Sequence, residues 1–201
     1  MSAMNSLAKL SQATVVGISG VTCGGKSSLA KLLKSRFPRA ALIHQDDYFL
    51  PNNSLLPRSL GGVDHANWDS IEAVDMVKLM DKVASTLKEL SCQSKSLLII
   101  DGFLIFNYPP LAELCHLKYF LTLPYEECWR RRQLRTYDPP DPPNYFQKCA
   151  WPMFLLNLER MQSASYAKSI AFLEGTTALD DNCQLIVKDI DLLMNAPSIF
   201  E

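Results

Sequence analysis

The sequence predicts an α/β fold: a parallel five-stranded sheet with helices on both faces. Three observations favour it. Short apolar runs of strand length alternate with segments whose apolar residues recur every three or four positions, the period of a helix. The run Leu97-Leu98-Ile99-Ile100 has no polar alternation, which is typical of a strand buried on both faces of a parallel sheet. A glycine-rich stretch also separates the first strand from the first helix, so the order is that of βαβ units.

The strands and helices follow one another along the chain. Five short apolar runs have the length of strands: 14–18, 40–44, 96–101, 118–123 and 169–173. Five longer segments carry helical spacing: 26–37, 69–87, 124–135, 151–168 and 179–194. Asp69 or Ser70 is expected to cap the second helix, since Glu72 is placed for a capping box with Asp69. Pro124 suits the first turn of the third helix, and the prolines of 139–143 interrupt the chain after it.

Length and charge limit the function classes. With 201 residues, the chain is expected to form a single domain over 13–201, preceded by a flexible N-terminal arm over 1–12. The formal charge of −1 provides no basic excess for nucleic acid or an anionic membrane, which favours small-molecule chemistry. The six cysteines include no C-x-x-C pair and the three histidines form no metal-binding spacing, which argues against a zinc site. A domain of this length does not need disulfides, so we expect reduced thiols and a cytoplasmic protein.

The segment Gly20-Val21-Thr22-Cys23-Gly24-Gly25-Lys26-Ser27 matches the pattern G-x-x-x-x-G-K-[ST] in full. It lies between a predicted strand and a predicted helix, the context that indicates a phosphate-binding P-loop and favours a P-loop NTPase fold over a chance glycine turn. The backbone N–H groups of such a loop converge on phosphates, Lys26 reaches the outer phosphates and the Ser27 hydroxyl binds Mg²⁺. Ser28 extends the predicted ATP site.

Three acids are expected at the carboxyl edge of the sheet. Asp101 ends the most apolar strand and is placed like a Walker B acid, able to hold Mg²⁺ or its water. Asp46 and Asp47 follow the second strand, where one carboxylate can accept a proton from an attacking hydroxyl. Helix caps and ordinary acidic turns are the structural alternatives.

Arginines and aromatic residues complete the candidate set. Arg131 and Arg135 are predicted to share one face of a helix and Arg132 another, which suits bidentate phosphate binding, although a solvated basic face fits equally well. The proline-rich segment beyond them suggests a lid, expected over about 128–150. Trp68-Asp69 offers a flat ring beside a carboxylate, fit for a base and sugar hydroxyls, or alternatively a buried Trp beside a cap.

The chain resembles the nicotinamide riboside kinases, relatives of uridine kinase among the P-loop kinases. The resemblance extends from Val15 to about Leu193. It is carried by the P-loop together with these segments: Ile43-His44-Gln45-Asp46-Asp47-Tyr48-Phe49, Asp101-Gly102-Phe103-Leu104-Ile105-Phe106-Asn107-Tyr108, Tyr119-Phe120-Leu121-Thr122-Leu123-Pro124-Tyr125-Glu126-Glu127-Cys128, Arg131-Arg132 and Trp151-Pro152-Met153.

This resemblance implies phosphorylation of the 5′-hydroxyl of nicotinamide riboside by Mg-ATP, giving nicotinamide mononucleotide for NAD synthesis. It implies that Asp47 is the general base and, with Ser27 and Asp101, a metal-site residue. Other residues would bind ATP: Arg131, Arg135, Thr136, Tyr137 and Thr177. The remaining residues would bind the nucleoside: Tyr48, Phe49, Trp68, Asp69, Arg132, Tyr137 and Asp138. Asp101 stands where the family is expected to have Glu, and Asp138 replaces an uncharged residue.

Two other functions stay open at this point. One is phosphorylation of uridine or cytidine. Stacking on Trp68 should favour the cationic pyridinium ring of nicotinamide riboside over these neutral pyrimidines. The other is a nucleotide-dependent binding module without turnover. We expect a monomer or a weak dimer.

Overall fold

A computed structural model describes residues 13–51, 56–92, 95–138 and 140–195. The predicted arm over 1–12 lies outside the described residues. The predicted parallel sheet is confirmed: its strand order is β2-β3-β1-β4-β5, and every neighbouring pair is parallel. The five strands are β1 Thr14–Gly20, β2 Ala41–His44, β3 Leu97–Asp101, β4 Leu117–Thr122 and β5 Ile170–Glu174.

Helices connect these strands. The α-helices of the described residues are α1 Lys26–Arg36, α2 Met76–Leu90, α3 Pro109–Ala112, α4 Tyr125–Arg132, α5 Trp151–Gln162 and α6 Leu179–Asn195. A π-helical segment, Phe146–Ala150, leads directly into α5, and a short 3₁₀ turn, Gln45–Tyr48, follows β2. None of the helices in the described ranges combines the length and apolar character needed to cross a bilayer.

The sheet is buried on both faces, as the unbroken apolar strands predict. Val15 and its neighbour Val16 point to opposite faces and belong to separate apolar clusters. On one face, α2 and α5 pack against the sheet, while α1 and α6 cover the other. A third cluster joins α4, the π-helical segment and α5 beside the P-loop. The predicted lid region therefore contributes to a core of its own.

The start of α2 differs from the prediction. The capping box of Asp69 with Glu72 does not form: Asp75 caps the helix instead, its carboxylate accepting a hydrogen bond from the Lys78 N–H at 2.9 Å. The chain before it is extended at Val74, which forms an antiparallel bridge with Phe49. This bridge interrupts the helical spacing, and Asp69 is left free to serve the cleft described below.

Helix α4 ends earlier than predicted. It stops at Arg132, and Arg135 follows in a turn closed by the Arg135 N–H on the Arg132 carbonyl at 3.0 Å. The expectation that Arg131 and Arg135 share a helical face was therefore wrong. Both side chains nevertheless line the same cleft.

Candidate active site

A cleft of about 1010 Å³ opens at the carboxyl edge of the sheet. β1 lies between β3 and β4, so the chain connections on its two sides leave in opposite directions, and ligands of open parallel sheets bind at such a point. Lining residues come from the P-loop, from the turn after β2, from Trp68 and Asp69, and from the region between α4 and α5.

The P-loop surrounds the start of α1. Gly25 precedes the helix with a left-handed φ of 96°, and Gly20 ends β1 with a φ of 134°. A Cβ atom at Gly20 would lie 2.2 Å from the Leu121 carbonyl oxygen, so only glycine fits there. Lys26 folds back and donates to the Val21 carbonyl at 2.8 Å. Burial lowers the pKa of Lys26, although Asp46 and Asp101 oppose that shift.

The predicted metal-site residues Ser27 and Asp101 are brought together. The Ser27 hydroxyl donates to Asp101 at 2.6 Å, and the other carboxylate oxygen of Asp101 contacts His44 Nδ1. Asp101 is buried at the end of β3, in register with Ile18 of β1 and His44 of β2. The ends of β2 and β3 therefore bring an imidazole and a carboxylate together, and the first turn of α1 adds the Ser27 hydroxyl.

The acid pair after β2 requires a correction. Asp46 lines the cleft, whereas Asp47 is not among the described residues that line it. Burial raises the pKa of Asp46, and Lys26 opposes the shift. Asp47 instead lies beside the Tyr48 phenol, whose pKa is raised by burial and then by the Asp47 charge. Consecutive residues of a 3₁₀ turn point about 120° apart, so only one of the pair faces the cleft. Asp46, and not the predicted Asp47, is therefore the acid of the pair that faces the cleft.

These oxygen atoms fit Mg²⁺. The Ser27 hydroxyl and the Asp101 carboxylate are in contact, and the Asp46 carboxylate is close enough to Asp101 and Lys26 for each to shift its pKa. Hard oxygen donors beside a phosphate-binding loop are the set that Mg²⁺ prefers.

Arg132 is a buried residue of the lid region. Its guanidinium makes a two-pronged ion pair with Asp141, at 2.8 and 3.1 Å, and donates to Thr22 Oγ1 of the P-loop at 3.1 Å. The same group stacks over the Tyr137 ring, 4.4 Å from its centroid. One side chain thereby joins the P-loop to the proline-rich segment.

The other predicted lid residues lie around Arg132. Arg131 donates to the Cys23 carbonyl at 3.3 Å, and its Nε is paired with Glu127 at 2.5 Å. The Tyr137 hydroxyl lies 3.5 Å from Thr22 Oγ1, and Asp138 lines the cleft beside it.

An aromatic wall lies across the cleft from the P-loop. Phe49 meets Trp68 edge to face, with ring centroids 5.9 Å apart, and stacks on Phe103 at 5.8 Å. Trp68 Nε1 is buried without a hydrogen-bond partner among the described residues. These rings provide the flat, apolar surface that the sequence suggested for a base.

Asp69 is held in place at both its backbone and its side chain. The Tyr145 hydroxyl donates to Asp69 Oδ2 at 2.9 Å, and the Asn157 amide donates to the Asp69 carbonyl at 3.0 Å. Burial raises the pKa of the Asp69 carboxyl, whereas the charge of Arg132 lowers it. Asp69 is thus a carboxylate fixed within reach of a ligand in the cleft.

Some predicted site residues lie at the margin of the cleft. Tyr48 packs against the core, and its carbonyl accepts from the Asp75 N–H at 2.8 Å. Thr136 and Thr177 are exposed. Thr177 follows Gly175, where a Cβ atom would lie 2.9 Å from the Gly24 carbonyl oxygen, so this loop abuts the P-loop. Val21 and Gly24 shape the loop through a hydrogen bond from the Gly24 N–H to the Val21 carbonyl at 3.1 Å.

Sequence reasoning missed several residues of this cleft, among them Phe103, Asp141, Tyr145 and Asn157. Asp141 stands in a proline-rich segment that was itself identified, so its charge was an available signal. Tyr145 and Asn157 carry no local motif, because their partners are 76 and 88 residues away in sequence.

Comparisons with known proteins agree with this geometry. The family model described as an AAA domain matches residues 16–151. Nicotinamide riboside kinase 1 of Rattus norvegicus is 40% identical over 186 residues, which cover 88% of this chain and 93% of that protein. Nicotinamide riboside kinase 1 of Homo sapiens is 39% identical, covering 88% and 91%. Nicotinamide riboside kinase 2 of Homo sapiens is 33% identical, covering 88% and 80%.

Solved structures support the fold. A sugar kinase from Janibacter sp. HTCC2649 aligns with a TM-score of 0.56 at 16% identity, covering 90% of this chain and 98% of that one. A possible uridine kinase from Bacillus stearothermophilus aligns with a TM-score of 0.52 at 14% identity, covering 83% and 96%. At these identities the likeness concerns the fold alone, and it agrees with the P-loop architecture derived above.

Proposed function

The chain belongs to the nicotinamide riboside kinase family, and from this we propose that it transfers the γ-phosphoryl group of ATP to the 5′-hydroxyl of nicotinamide riboside, giving nicotinamide mononucleotide. The observation that carries the proposal is the 40% identity to a curated nicotinamide riboside kinase across 88% of this chain. The same comparisons do not favour a uridine or cytidine kinase.

We assign the donor side of the cleft to ATP. The N–H groups of the P-loop and the start of α1 would cradle the phosphates. Lys26 would leave the Val21 carbonyl, to which it donates at 2.8 Å, for the outer phosphates. Burial lowers the pKa of Lys26, which means that the charged ammonium is disfavoured there. A phosphate would offset this cost by giving the ammonium a negative partner. Arg131 and Arg135 line the same cleft and would neutralise charge on the transferring group.

Ser27, Asp101 and Asp46 would hold Mg²⁺ through oxygen atoms, and the bound ion would neutralise charge on the phosphates. Asp46 is the proposed general base. It would accept the proton of the 5′-hydroxyl as that oxygen bonds to the γ-phosphorus and the bond to the bridging oxygen of ADP breaks. Its raised pKa favours such proton transfer over that of an ordinary surface carboxylate.

The opposite side of the cleft would bind the nucleoside. Trp68, Phe49 and Phe103 present aromatic surface to the nicotinamide ring, and a cationic pyridinium is attracted to such faces. Asp69 would accept hydrogen bonds from the ribose hydroxyls, and Arg132 and Tyr137 would close over the sugar. Asp138 adds a negative charge at the edge of this pocket.

The proposal is tested by measuring ADP release with Mg-ATP and nicotinamide riboside, uridine, cytidine, pantothenate or no acceptor. Release with nicotinamide riboside alone is expected. Release with pyrimidine nucleosides would replace the substrate but keep the mechanism. If no acceptor stimulated release, the binding-module alternative would gain support, in which Lys26→Ala abolishes partner binding.

Two coarser expectations accompany the proposal. All six cysteines are free, which fits the expected reducing, cytoplasmic compartment. A monomer or weak dimer remains the expectation for the assembly state. Sedimentation measurements would test it.

A further inference from the structure

Tyr145 connects the ribose-binding segment to the lid region through a single oxygen atom. Its phenol accepts a hydrogen bond from the Trp68 backbone N–H at 3.1 Å and donates one to Asp69 Oδ2 at 2.9 Å. The side chain is 1% exposed, so water does not compete for these bonds. Residues 68 and 69, which would hold the base and the sugar, thus depend on one hydroxyl from the segment that precedes α5.

We propose that Tyr145 is a positioning residue that sets the preference of this enzyme for ribosides over 2′-deoxyribosides. It acts through Asp69, whose carboxylate it aims at the sugar, and not by reacting itself. The inference rests on the proposed function and deepens it, because it assigns the sugar specificity of that site to a residue that carries no sequence motif.

The first step of the argument concerns the orientation of the carboxylate. The Asp69 backbone is fixed by the Asn157 amide and by an N–H bond to Asn67 Oδ1 at 3.2 Å. The carboxylate can still rotate about its side-chain bonds. The Tyr145 hydroxyl donates to one oxygen, Oδ2, and so fixes this rotation and leaves the other oxygen to a ligand.

The second step concerns the charge of the carboxylate. Burial raises the pKa of Asp69, and the hydrogen bond from Tyr145 opposes that shift. Without the phenol hydroxyl, the buried carboxylate would lose a hydrogen-bond donor. Its ionised form would then rely more on the positive charge of Arg132. A carboxylate held ionised and oriented is a strong acceptor for sugar hydroxyls.

The third step links orientation to specificity. A riboside presents two adjacent hydroxyls to the carboxylate, whereas a 2′-deoxyriboside presents one. A misaligned carboxylate loses more with the substrate that makes more bonds to it. Hydrogen bonds to a charged group are worth about tenfold or more in affinity each, so the preference for the riboside should fall by roughly tenfold.

The variant Tyr145→Phe removes the hydroxyl and keeps the ring, which packs edge to face with His65 at 5.2 Å. The measurement is kcat/KM for nicotinamide riboside and for its 2′-deoxyriboside. We expect a loss of about tenfold or more for the riboside and of less than about threefold for the deoxyriboside. The loss should reside mainly in KM, because the phosphoryl-transfer residues are unchanged.

Tyr119→Phe is the matched control. The Tyr119 hydroxyl also donates to a carboxylate, Asp189 at 2.7 Å, and its side chain is only 2% exposed, but it packs between β4 and α6 away from the cleft. This variant should leave the ratio of the two substrates unchanged even if its melting temperature falls as far as that of Tyr145→Phe.

The outcomes separate the claims. An unchanged substrate ratio in Tyr145→Phe, with an active wild type, would overturn the role of Tyr145 and leave the proposed function intact. Equal changes of the ratio in both variants would also overturn it, since the cause would then be general destabilisation. A wild-type enzyme inactive on nicotinamide riboside would overturn the proposed function itself, and the sugar assignment with it.

Discussion

The two sides of the cleft are built in different ways. The donor side is built around one continuous stretch, residues 20–28, to which Asp101 of the neighbouring strand and the arginines 131 and 135 are added. The acceptor side is assembled from distant parts of the chain, since Asp69 meets Tyr145 and Asn157 across 76 and 88 residues. The donor side therefore follows from a local motif and the sheet register, and the acceptor side exists only when the lid region is folded against the rest.

The two kinds of construction predict which part of the site is easier to disturb. A contiguous loop is held by its own backbone and by the sheet beneath it, and it persists while the sheet does. The acceptor side depends on a few side-chain contacts among separate segments. A substitution remote from the P-loop should therefore disturb nucleoside recognition before it disturbs nucleotide binding.

The largest expected effect tests which acid belongs to the transfer step. Asp46→Asn should lower kcat by roughly 10² to 10⁴, the usual contribution of a general base, while ATP still binds. Asp47→Asn, which alters the adjacent residue of the same turn, should change kcat by less than about threefold, because Asp47 does not line the cleft among the described residues. Steady-state ADP release and nucleotide titration measure both. The reverse order of effects would restore Asp47 as the base.

The same division explains what the sequence predicts. The sheet, the P-loop and Asp101 follow from patterns within a few residues. The structure has the predicted parallel sheet, with the P-loop segment after β1 and Asp101 at the end of β3. The choice between Asp46 and Asp47 depends on the direction of a 3₁₀ turn, which the two identical residues do not reveal. The capping box at Asp69 has the right local pattern, but the extended backbone at Val74 delays the helix until Asp75. The late start of this helix was decided by a long-range contact, the bridge between Phe49 and Val74.

The second prediction concerns the ion pair of Arg132 with Asp141, which ties the proline-rich segment to the side chain that donates to the P-loop. Among the described residues, Asp141→Ala would leave the Arg132 guanidinium, whose side chain is 6% exposed, with the Thr22 hydroxyl as its hydrogen-bond partner beside the Tyr137 ring. We expect a loss of roughly 2 kcal/mol in the free energy of unfolding, the cost of an unmet hydrogen bond at a charged group. Urea denaturation monitored by tryptophan fluorescence measures it.

Asp64→Ala is the control for that loss. Asp64 pairs with Arg58 in a bridge whose side chains are 90% and 78% exposed. Exposed pairs contribute little because water screens them, so this variant should leave the denaturation midpoint nearly unchanged. Equal midpoints for the two variants would indicate that the lid region is not held to the P-loop by Arg132.

A third prediction uses thiols to mark the donor side. Burial raises the pKa of Cys128 to about 12, so its thiolate is scarce near neutral pH, whereas Cys23 lines the cleft and Cys92 is exposed on the surface. Iodoacetamide at pH 8 should label Cys23 and Cys92 and leave Cys128 intact. Adding Mg-ATP should slow labelling of Cys23 several-fold and leave Cys92 unaffected. Equal protection of both would show that the nucleotide acts on the whole molecule and not on the P-loop.

The last prediction concerns the pH dependence of catalysis, where we expect the smallest change. The proposed base must be ionised, so kcat/KM should fall as the pH drops through the pKa of Asp46, which burial raises above the usual value of about 3.9. Arg135 opposes that shift, so Arg135→Gln should raise the pKa further and move the acid limb to higher pH. Arg130→Gln is the control, because Arg130 pairs with Glu127 at 2.8 Å. Its acid limb should match the wild type. If the limbs of all three proteins coincided, the group titrating in the pH profile would not be Asp46, and the base would have to be sought elsewhere in the cleft.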